Sequence, residues 1–466
     1  MNSSRPIAVD LFAGAGGLSL GFEQAGFDVV AAVEIDPVHA CVHQFNFPQC
    51  TVIARSATEV SGDDIRKAAG LDKETQIDVV AGGAPCQGFS IMGQRALDDP
   101  RNTLVKDFIR LIQELQPLYF LFENVKGLTV GKHRQFLQAV IDQLECAGYQ
   151  VLQPWQVLNA KDYGVPQNRE RLFLIGAKQH YPLPHYPSPL EKQVTCAEAL
   201  DDLPDAESFE QLLFRDETPF EYLKEPEGYT ELMRCHHREN WRYGYQRQWN
   251  NQQLTSSRRT IHTQISRDRF EQTKPGTVEP ISRFFRLSSS GISNTLRAGT
   301  DSARGSFTSP RPIHYQHARC ITVREMARLH GFPDWFRFHA TKWHGARQVG
   351  NSVPPPLAFV IAREIMKRLP QQPALPTQII HLGDESLLQM KMSAAAKYWG
   401  IQSPIKGRDR KSGRKKRKQI NIELPELMAI KEVCEDPAAL SSAESETRRQ
   451  RQGSSLHPVG FQVYSR

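Results

Sequence analysis

The segment Asp10-Leu11-Phe12-Ala13-Gly14-Ala15-Gly16-Gly17-Leu18-Ser19-Leu20-Gly21-Phe22 follows a short apolar run and opens a helical pattern. Glycines between a strand and a helix let the backbone approach a ligand closely. An acidic residue at the end of the next strand can bind ribose hydroxyls, and Glu34 occupies that position after the apolar run 29–33. The segment therefore indicates an α/β sheet whose first two strands carry a nucleotide-type ligand.

The glycine spacing in residues 10–22 distinguishes two classes of ligand. A dinucleotide favours GxGxxG with a pyrophosphate at the helix N-terminus, whereas this loop reads GAGG. A molecule with a ribose but no phosphate fits better, and S-adenosylmethionine is such a molecule. The spacing alone favours S-adenosylmethionine and leaves a dinucleotide as the alternative.

Apolar runs alternate with helical patterns over the first 180 residues, which indicates βαβ units and a doubly wound α/β sheet. Helices are predicted over Leu104–Leu115 and over Gln135–Ala147, before Gly148. Strands are predicted over Ile7–Phe12, Val29–Glu34, Ile77–Ala81, Leu118–Glu123, Val151–Leu158 and Arg171–Ala177.

The segment GGAPCQGFS, residues 82–90, directly follows the strand predicted at Ile77–Ala81. It places Cys86 on a glycine-rich loop at the sheet edge where open α/β sheets bind ligands. A thiol there is positioned to attack a bound molecule. On its own, a single cysteine is more often a small buried apolar residue.

Composition is that of a globular protein of two or three domains, with 466 residues and 39% hydrophobic residues. No apolar run approaches the length of a membrane span, and the N-terminus lacks the apolar core of a signal peptide. The eight cysteines form no CxxC pair, so neither a zinc site nor a disulfide framework is expected, and a reducing, intracellular compartment is predicted. Cys235-His236-His237 is a weak metal motif that reads better as a polar loop.

The formal net charge of +7 fits a polyanionic partner. Arginines are frequent between residues 247 and 311, and arginine suits bidentate contacts with phosphate and guanine. Taken one at a time, each of these arginines is more simply read as solvated surface. The run Lys406–Lys418 is almost entirely basic, which is typical of a disordered, electrostatically adhesive tail.

Three regions are predicted from changes in composition and in the regularity of the apolar pattern along the chain. Residues 1–180 form a catalytic and cofactor-binding domain that residues 345–370 complete. Residues 181–344 form a second, irregular domain, ended by a helix with Thr322 as N-cap and Glu325 as its capping-box partner. Residues 371–466 form a basic C-terminal extension of unknown role.

Several blocks of this sequence, in this order, resemble the DNA (cytosine-5) methyltransferases of bacterial restriction–modification systems. The resemblance covers about residues 7–368 and is weak between 180 and 290. It implies a Rossmann-like, S-adenosylmethionine-dependent methyltransferase fold with a smaller, irregular target-recognition domain. The blocks are residues 10–22, Glu34, residues 82–90, Glu123-Asn124-Val125, residues 167–173, Thr322-Val323-Arg324-Glu325 and residues 349–354.

The resemblance implies a covalent route for methyl transfer. Cys86 resembles the nucleophile that adds to carbon 6 of cytosine and makes carbon 5 reactive. Glu123 resembles the group that protonates ring nitrogen 3. Arg171 is expected to reach the carbonyl oxygen of the base, and Arg169 to keep the site electropositive around the thiolate.

The resemblance also implies a set of cofactor contacts. Glu34 is expected to bind the ribose hydroxyls and Ile35 to lie against adenine. The family often has an acidic residue near position 56 or 57 that meets the adenine amine, but this chain has Ser56-Ala57, so that contact is in doubt. The remaining residues expected in the pocket are Phe12, Ala13, Gly14, Gly16, Gly17, Pro85, Leu104, Asn351 and Val353.

The target base has to leave the duplex to reach Cys86. Residues 87–102 resemble a loop that closes over DNA, with Gln87 and Met92 as candidate contacts. The segment Ser293–Gly299 resembles the threonine–leucine element of the family's target-recognition domain. Thr295 and Arg297 are its candidate DNA contacts.

The function predicted from the resemblance is methylation of carbon 5 of cytosine at a short sequence in duplex DNA. The partners expected are duplex DNA and a restriction endonuclease. The enzyme is expected to be a monomer in the cytoplasm, at the bacterial nucleoid, with no metal and no membrane contact. A transfer RNA cytosine-5 methyltransferase and a non-catalytic DNA-binding regulator are the alternatives.

Overall fold

The computed structural model describes residues 5–85, 103–131, 133–300, 308–371 and 373–402. Its centre is a mixed sheet of eight strands in the order β3-β2-β1-β4-β5-β8-β6, with β7 also paired to β8. Neighbours from β3 to β5 are parallel, whereas β8 runs antiparallel to β5, β6 and β7. The strands are β1 Ile7–Leu11, β2 Asp28–Val33, β3 Thr51–Ile53, β4 Val79–Gly82, β5 Tyr119–Val125, β6 Tyr149–Val151, β7 Gln156–Asn159 and β8 Glu170–Lys178.

Helices cover both faces of the sheet, which confirms the predicted doubly wound α/β fold. Alternate residues of the strands point to opposite faces, so Val79 and Ala81 join one apolar core while Val80 joins the other. The first core includes α1 Gly17–Ala25, α2 Pro37–Asn46 and α11 Pro355–Met366. The second includes α3 Gly62–Ala68, α4 Thr103–Leu115 and α5 His133–Cys146.

One predicted strand is wrong. The segment Val151–Leu158, expected as a single strand, forms the end of β6 and most of β7, with a turn between them. Pro154 lies in that turn, and a proline has no N–H for a sheet ladder. Both short strands then pair with β8, so the segment still belongs to the sheet.

Short elements and loops make up the described residues between 181 and 344, in agreement with the irregular pattern of their sequence. The predicted capping box is confirmed, because the side chain of Thr322 accepts from the backbone N–H of Glu325 and the Glu325 carboxylate accepts from that of Thr322. The elements here are α6 Cys196–Leu200, β9 Thr218–Pro219, α7 Tyr229–Arg234, β10 Gln246–Gln248, β11 Gln253–Leu254, α8 Gln264–Gln272, α9 Val323–His330 and the start of α10 Lys342–Asn351.

Several arginines in this region are buried and bond to groups inside the protein. Arg247 forms a fully buried pair with Glu23 of α1, with both terminal nitrogens within 2.8 Å of the carboxylate. Arg286 donates to four backbone carbonyls, and Arg311 donates to the Ile321 carbonyl. The interpretation of these three residues as solvated surface or DNA contacts is therefore wrong, because their guanidinium groups already satisfy buried acceptors.

Arg328 of α9 holds two buried carboxylates at once. Its guanidinium lies 2.6 Å from both oxygens of Asp334 and 3.1 Å from both oxygens of Asp202. Bidentate arginine–carboxylate pairs are strong and geometrically specific. The charge network therefore fixes α9 against the segment that carries α6.

Residues 373–402 pack on the rest of the chain rather than extending away from it. Strand β12, Ile379–His381, pairs in parallel with β10, and helix α12, Met392–Tyr398, packs against α2. None of the helices in the described ranges is long and apolar enough to cross a membrane. Within the same ranges, no cluster of three or more histidine, cysteine or carboxylate side chains could hold a metal ion.

We expect Arg328→Met to lower the free energy of unfolding by about 3–5 kcal/mol, because it leaves Asp202 and Asp334 buried with one partner fewer. Urea denaturation followed by circular dichroism would measure the change. Arg297→Met, at an exposed position, is the matched control and should change it by less than about 0.5 kcal/mol. Equal effects of the two substitutions would contradict a structural role for Arg328.

Candidate active site

The carboxyl ends of β1, β2, β4 and β5 lie side by side along one edge of the sheet. Open α/β sheets bind ligands at this edge. Residues singled out in the sequence follow three of these strands, with Phe12 after β1, Glu34 after β2 and Gly83 after β4. Glu123 lies within β5, two residues before its last residue.

The loop after β4 is held against β5 by one buried side chain. The Asn124 amide nitrogen donates to the Ala84 carbonyl at 3.1 Å, and its oxygen accepts from the Val125 backbone N–H. Pro85 is the last described residue of this loop. Cys86, Gln87 and Met92 belong to residues 86–102, which lie outside the described residues.

Glu123 and Arg171 form an ion pair at the centre of this edge. Arg171 Nε lies 2.9 Å from Glu123 Oε1, and both side chains are largely buried. The antiparallel register of β5 and β8 sets Val125 opposite Arg171, so Glu123 is its diagonal neighbour. Burial raises the pKa of Glu123, although the charges of Arg171 and Arg169 lower it.

Gly83 makes room for the Glu123 carboxylate. A Cβ atom on Gly83 would lie 2.7 Å from Glu123 Oε2, which is closer than such contacts occur. A side chain at position 83 would therefore push the carboxylate away from Arg171.

Arg169 lies next to this pair, but its terminal nitrogens donate to backbone carbonyls. Its terminal nitrogens donate to the carbonyls of Leu296, Gly350 and Ser352 at 2.8–3.2 Å, and the residue is fully buried. The guanidinium therefore ties three chain segments together beside Glu123. A contact with the Cys86 thiolate stays a prediction.

Gln167 and His330 form a second buried hydrogen-bonded contact. The sequence analysis did not predict this contact. Gln167 accepts from the Leu296 N–H at 3.0 Å, and its amide nitrogen lies 2.9 Å from His330 Nδ1. His330 Nε2 lies 2.9 Å from the Ser352 carbonyl, so Nε2 carries the proton and Nδ1 accepts. Burial and the nearby Arg169 charge hold the pKa of His330 far below its usual range, which keeps the ring neutral.

Thr295 and Arg297 follow a segment that pairs with the residues just before β8, and their predicted contacts with DNA stay predictions. The segment around Ser293 pairs with residues 166–168, with the Asn168 N–H donating to the Ser293 carbonyl at 2.8 Å. The Thr295 hydroxyl donates to the Asn168 carbonyl at 2.6 Å. Arg297 is exposed and available to a partner.

Glu34 lies between the loops that follow β1 and β2. Its carboxylate accepts from the Gly14 N–H at 2.8 Å and from the Asp36 N–H at 2.7 Å. Burial raises the pKa of Glu34, despite the opposing effect of His39. Each carboxylate oxygen has a second lone pair, so Glu34 can still accept hydrogen bonds from two ribose hydroxyls. Ile35 beside it is half exposed.

The glycine-rich loop packs closely against the segment after α10. A Cβ on Gly17 would lie 2.3 Å from the Val353 carbonyl oxygen, so only glycine fits there. Gly16 caps α1 with a left-handed backbone, and Ala13 donates its N–H to the Val33 carbonyl. The structure thus brings together the loops of Gly14, Glu34 and Val353.

The other residues expected in the cofactor pocket have less definite surroundings. Phe12 has a positive φ of 60° and is half-buried, Leu104 is half-buried on α4, and Asn351 ends α10 at an exposed position. Ser56 caps the turn Ala57–Glu59 and bonds to Thr58, so no acidic side chain occupies that position. The contacts predicted for these residues stay predictions.

Asp10 is a buried carboxylate at the base of the glycine-rich loop. Its Oδ2 accepts from the Ser19 hydroxyl at 2.6 Å and from the Ser19 N–H at 3.1 Å. His43 Nε2 lies 3.0 Å from that hydroxyl. Asp10 Oδ1 is buried without a hydrogen-bond partner in the described part of the chain. Burial raises the pKa of Asp10 to about 7, although the bonds from Ser19 lower it.

Comparison with known proteins identifies the relatives of this chain. A family model for C-5 cytosine-specific DNA methylases matches residues 7–367. The chain is 56% identical over 402 residues to the type II methyltransferase M.XorII of Xanthomonas oryzae pv. oryzae, which covers 86% of this chain and 94% of that protein. It is 32% identical over 365 residues to the type II methyltransferase M1.HphI of Haemophilus parahaemolyticus, covering 77% and 86% respectively.

A solved structure described as a DNA modification methyltransferase encoded within an E. coli prophage is similar throughout its length. It aligns with a TM-score of 0.66 at 34% identity and covers 78% of this chain and 100% of its own. Fold and sequence therefore lead to the same group of proteins.

We expect Asp10→Asn to flatten the pH dependence of stability. Between about pH 4 and pH 7 the folded state retains an Asp10 proton that the unfolded state has lost, so stability falls as pH rises, by up to about 1.4 kcal/mol per pH unit. This fall stops above about pH 7, where both states are ionised. Urea unfolding from about pH 5 to pH 8 would show a shallower slope for the variant. Identical slopes would contradict the raised pKa.

Proposed function

The chain belongs to the family of C-5 cytosine-specific DNA methylases and is a DNA (cytosine-5)-methyltransferase, and on this premise we propose its reaction and site. It methylates carbon 5 of cytosine at a specific sequence in duplex DNA, as the modification enzyme of a bacterial type II restriction–modification system. S-adenosylmethionine is the donor. The observation that carries the assignment of the site is the buried Glu123–Arg171 pair at the sheet edge, beside the loop that leads to Cys86.

Cys86 and Glu123 act together on the flipped base. The Cys86 thiolate adds to carbon 6 while the Glu123 carboxyl gives a proton to ring nitrogen 3, which turns carbon 5 into a nucleophile. When bound, S-adenosylmethionine supplies the methyl group that carbon 5 accepts. Methyl transfer releases the demethylated donor as S-adenosylhomocysteine. A solvent water then takes the proton from carbon 5, the double bond between carbons 5 and 6 forms again as the Cys86 thiolate leaves, and the proton on nitrogen 3 returns to Glu123.

The surroundings of Glu123 support its role as a proton donor. A carboxyl group has to carry its proton near neutral pH to serve in this way, and burial shifts the pKa of Glu123 upward. The opposing charge of Arg171 keeps the ionised form accessible after the proton has moved. The carboxyl can thus exchange a proton in both directions.

The free donor of Arg171 supports a contact with the base. Nε pairs with Glu123 and Nη1 donates to the Glu170 carbonyl, which leaves Nη2 without a partner among the described residues. In the family this arginine meets the carbonyl oxygen of the base. Arg171 would therefore orient the cytosine while it orients Glu123.

The methyl donor S-adenosylmethionine would bind between the loops that follow β1 and β2. Glu34 would bind the ribose hydroxyls with its remaining lone pairs, and half-exposed Ile35 would cover adenine. Phe12, Ala13, Gly14, Gly16 and Gly17 would form the wall around the methionine part, with Val353 closing the pocket. Pro85, Leu104 and Asn351 complete the set.

Residues 181–344 serve as the target-recognition domain and residues 1–180 with 345–370 as the catalytic domain. Exposed Arg297, next to Thr295, is a candidate for a phosphate contact. Gln87 and Met92 would meet the DNA around the flipped base. The enzyme would work as a monomer in the cytoplasm, at the nucleoid, paired with a restriction endonuclease of the same specificity.

Duplex DNA is favoured over transfer RNA because the long irregular insert suits sequence readout in DNA. It is favoured over a non-catalytic role because Cys86, Glu123 and Arg171 are all present. Bisulfite sequencing of plasmid DNA from cells that express the chain should show one methylated motif. Methylation of transfer RNA alone in a parallel assay would support the alternative.

We expect duplex DNA with 5-fluorocytosine at the target position to become covalently attached to the protein in the presence of S-adenosylmethionine. Fluorine cannot leave carbon 5 as a proton does, so the bond to Cys86 would persist. Denaturing gel electrophoresis would show the adduct. Cys86→Ser should bind DNA without forming it, whereas Cys146→Ser, at an exposed cysteine, should react as the wild type does. An adduct in Cys86→Ser would refute the assignment.

We expect Gly83→Ala to slow methyl transfer about 10- to 100-fold, because the new Cβ displaces the Glu123 carboxylate. The displaced group is the end of a side chain, so stability should fall by less than about 1 kcal/mol. Transfer of labelled methyl groups and thermal unfolding would measure the two effects. Gly291→Ala, in the irregular region, is the control and should retain the wild-type rate.

A further inference from the structure

Residues 373–402 lie beyond the segment that matches the family model, which ends at residue 367. They nevertheless contact both the irregular region, through β10, and α2, which follows the proposed donor-binding residue Glu34. Ile380 of β12 pairs with Arg247 of β10, whose side chain forms the buried pair with Glu23 of α1. We call residues 373–402 the C-terminal strap.

The strap is anchored to α2 along the length of that helix. Near its C-terminal end, the Gly383 N–H donates to the Phe45 carbonyl at 2.9 Å. The turn at residues 385–389 packs on α2 and buries Leu387 and Leu388. At the first residue of α2, Trp399 Nε1 donates to the Pro37 carbonyl at 3.2 Å.

The strap also covers the neighbouring strand. The side chains of Trp399 and Ile401 pack against buried Ala40 of α2 and against Val52 and Ala54 at β3. The strap therefore packs against α2, which follows the turn after β2, and against β3, which pairs with β2.

The inner side of the same turn carries the residues proposed to bind the donor. The Glu34 N–H donates to the Ile53 carbonyl of β3, and the Glu34 carboxylate accepts from the N–H of Asp36, the N-cap of α2. A shift of Pro37 or of β3 would move Glu34 and Ile35 with it. Trp399 touches both of these supports.

We propose that the C-terminal strap, through Trp399, positions Glu34 and Ile35 for the methyl donor and thereby sets the affinity of the enzyme for it. Trp399 is a positioning residue that does not touch the donor. The inference rests on the proposed donor site at Glu34. It gives residues 373–402 a role in the reaction rather than in the fold alone.

Trp399→Phe tests this role because it removes the N–H and keeps a ring against Ala40. With the full chain, isothermal titration with S-adenosylhomocysteine should show a dissociation constant raised about three- to tenfold, the effect of one lost hydrogen bond. Tyr398→Phe, on the same helix at an exposed position, is the matched control and should bind as the wild type does. Ile401→Ala, which acts through β3, should weaken binding in the same direction.

Kinetics separate positioning from simple stabilisation. The KM for S-adenosylmethionine should rise in Trp399→Phe, while kcat at saturating donor and the KM for DNA stay unchanged. A lower melting temperature of the ligand-free variant with unchanged affinity for S-adenosylhomocysteine would overturn the inference. If the wild-type protein itself fails to bind S-adenosylhomocysteine, the proposed donor is wrong, and the inference falls with it.

Discussion

The ion pair between Glu123 and Arg171 is the interaction on which the candidate site depends. It exists because β8 enters the sheet antiparallel to β5, which brings an arginine near the start of one strand to a glutamate near the end of the other. Burial favours the protonated carboxyl and the guanidinium favours the ionised one. In the proposed reaction, the balance between these two effects would let Glu123 both give a proton and take it back. The Gly83 loop then has to stay clear of the carboxylate, which ties β4 to the same geometry.

A layer of buried hydrogen bonds surrounds this pair and joins distant parts of the chain. Arg169 binds carbonyls at Leu296 and at Gly350 and Ser352, and Gln167 reaches both Leu296 and His330. These residues link the segment carrying Thr295 to the loop that borders the cofactor cradle. Both terminal nitrogens of Arg169 and the amide nitrogen of Gln167 have acceptors here. Displacement of one segment would therefore leave polar groups unsatisfied, at a cost of about 1–3 kcal/mol each. These hydrogen bonds therefore hold the segment of Thr295 and residues 350–352 against the start of β8.

The sequence predicted the sheet well because its strands are short apolar runs separated by glycine-rich loops and amphipathic helices. The wrong prediction at Val151–Leu158 arose because Pro154 interrupts a segment that is otherwise typical of a strand. The arginines were harder to interpret, since a guanidinium looks the same in sequence whether it meets a phosphate or a buried carboxylate. Arg247, Arg286 and Arg311 are internal, and only the positions of Glu23 and of distant backbone carbonyls reveal it. Residues 373–402, expected within an appendage, pack because Leu387, Leu388 and Trp399 find apolar partners on α2 and β3.

By itself, the sequence determined the α/β class, the family resemblance and the identity of the chemical groups, because these follow from local patterns and motif order. It also singled out Glu34, Glu123, Arg169 and Arg171, whose roles in the reaction stay predictions. Tertiary structure alone decided which of the two arginines uses both terminal nitrogens on the backbone, since that depends on acceptors more than a hundred residues away along the chain. Both terminal nitrogens of Arg169 donate to backbone carbonyls, whereas Nη2 of Arg171 has no partner among the described residues, although the two arginines lie two residues apart. Hydrogen-bond partners are set by distance in space, which spacing along the chain does not encode.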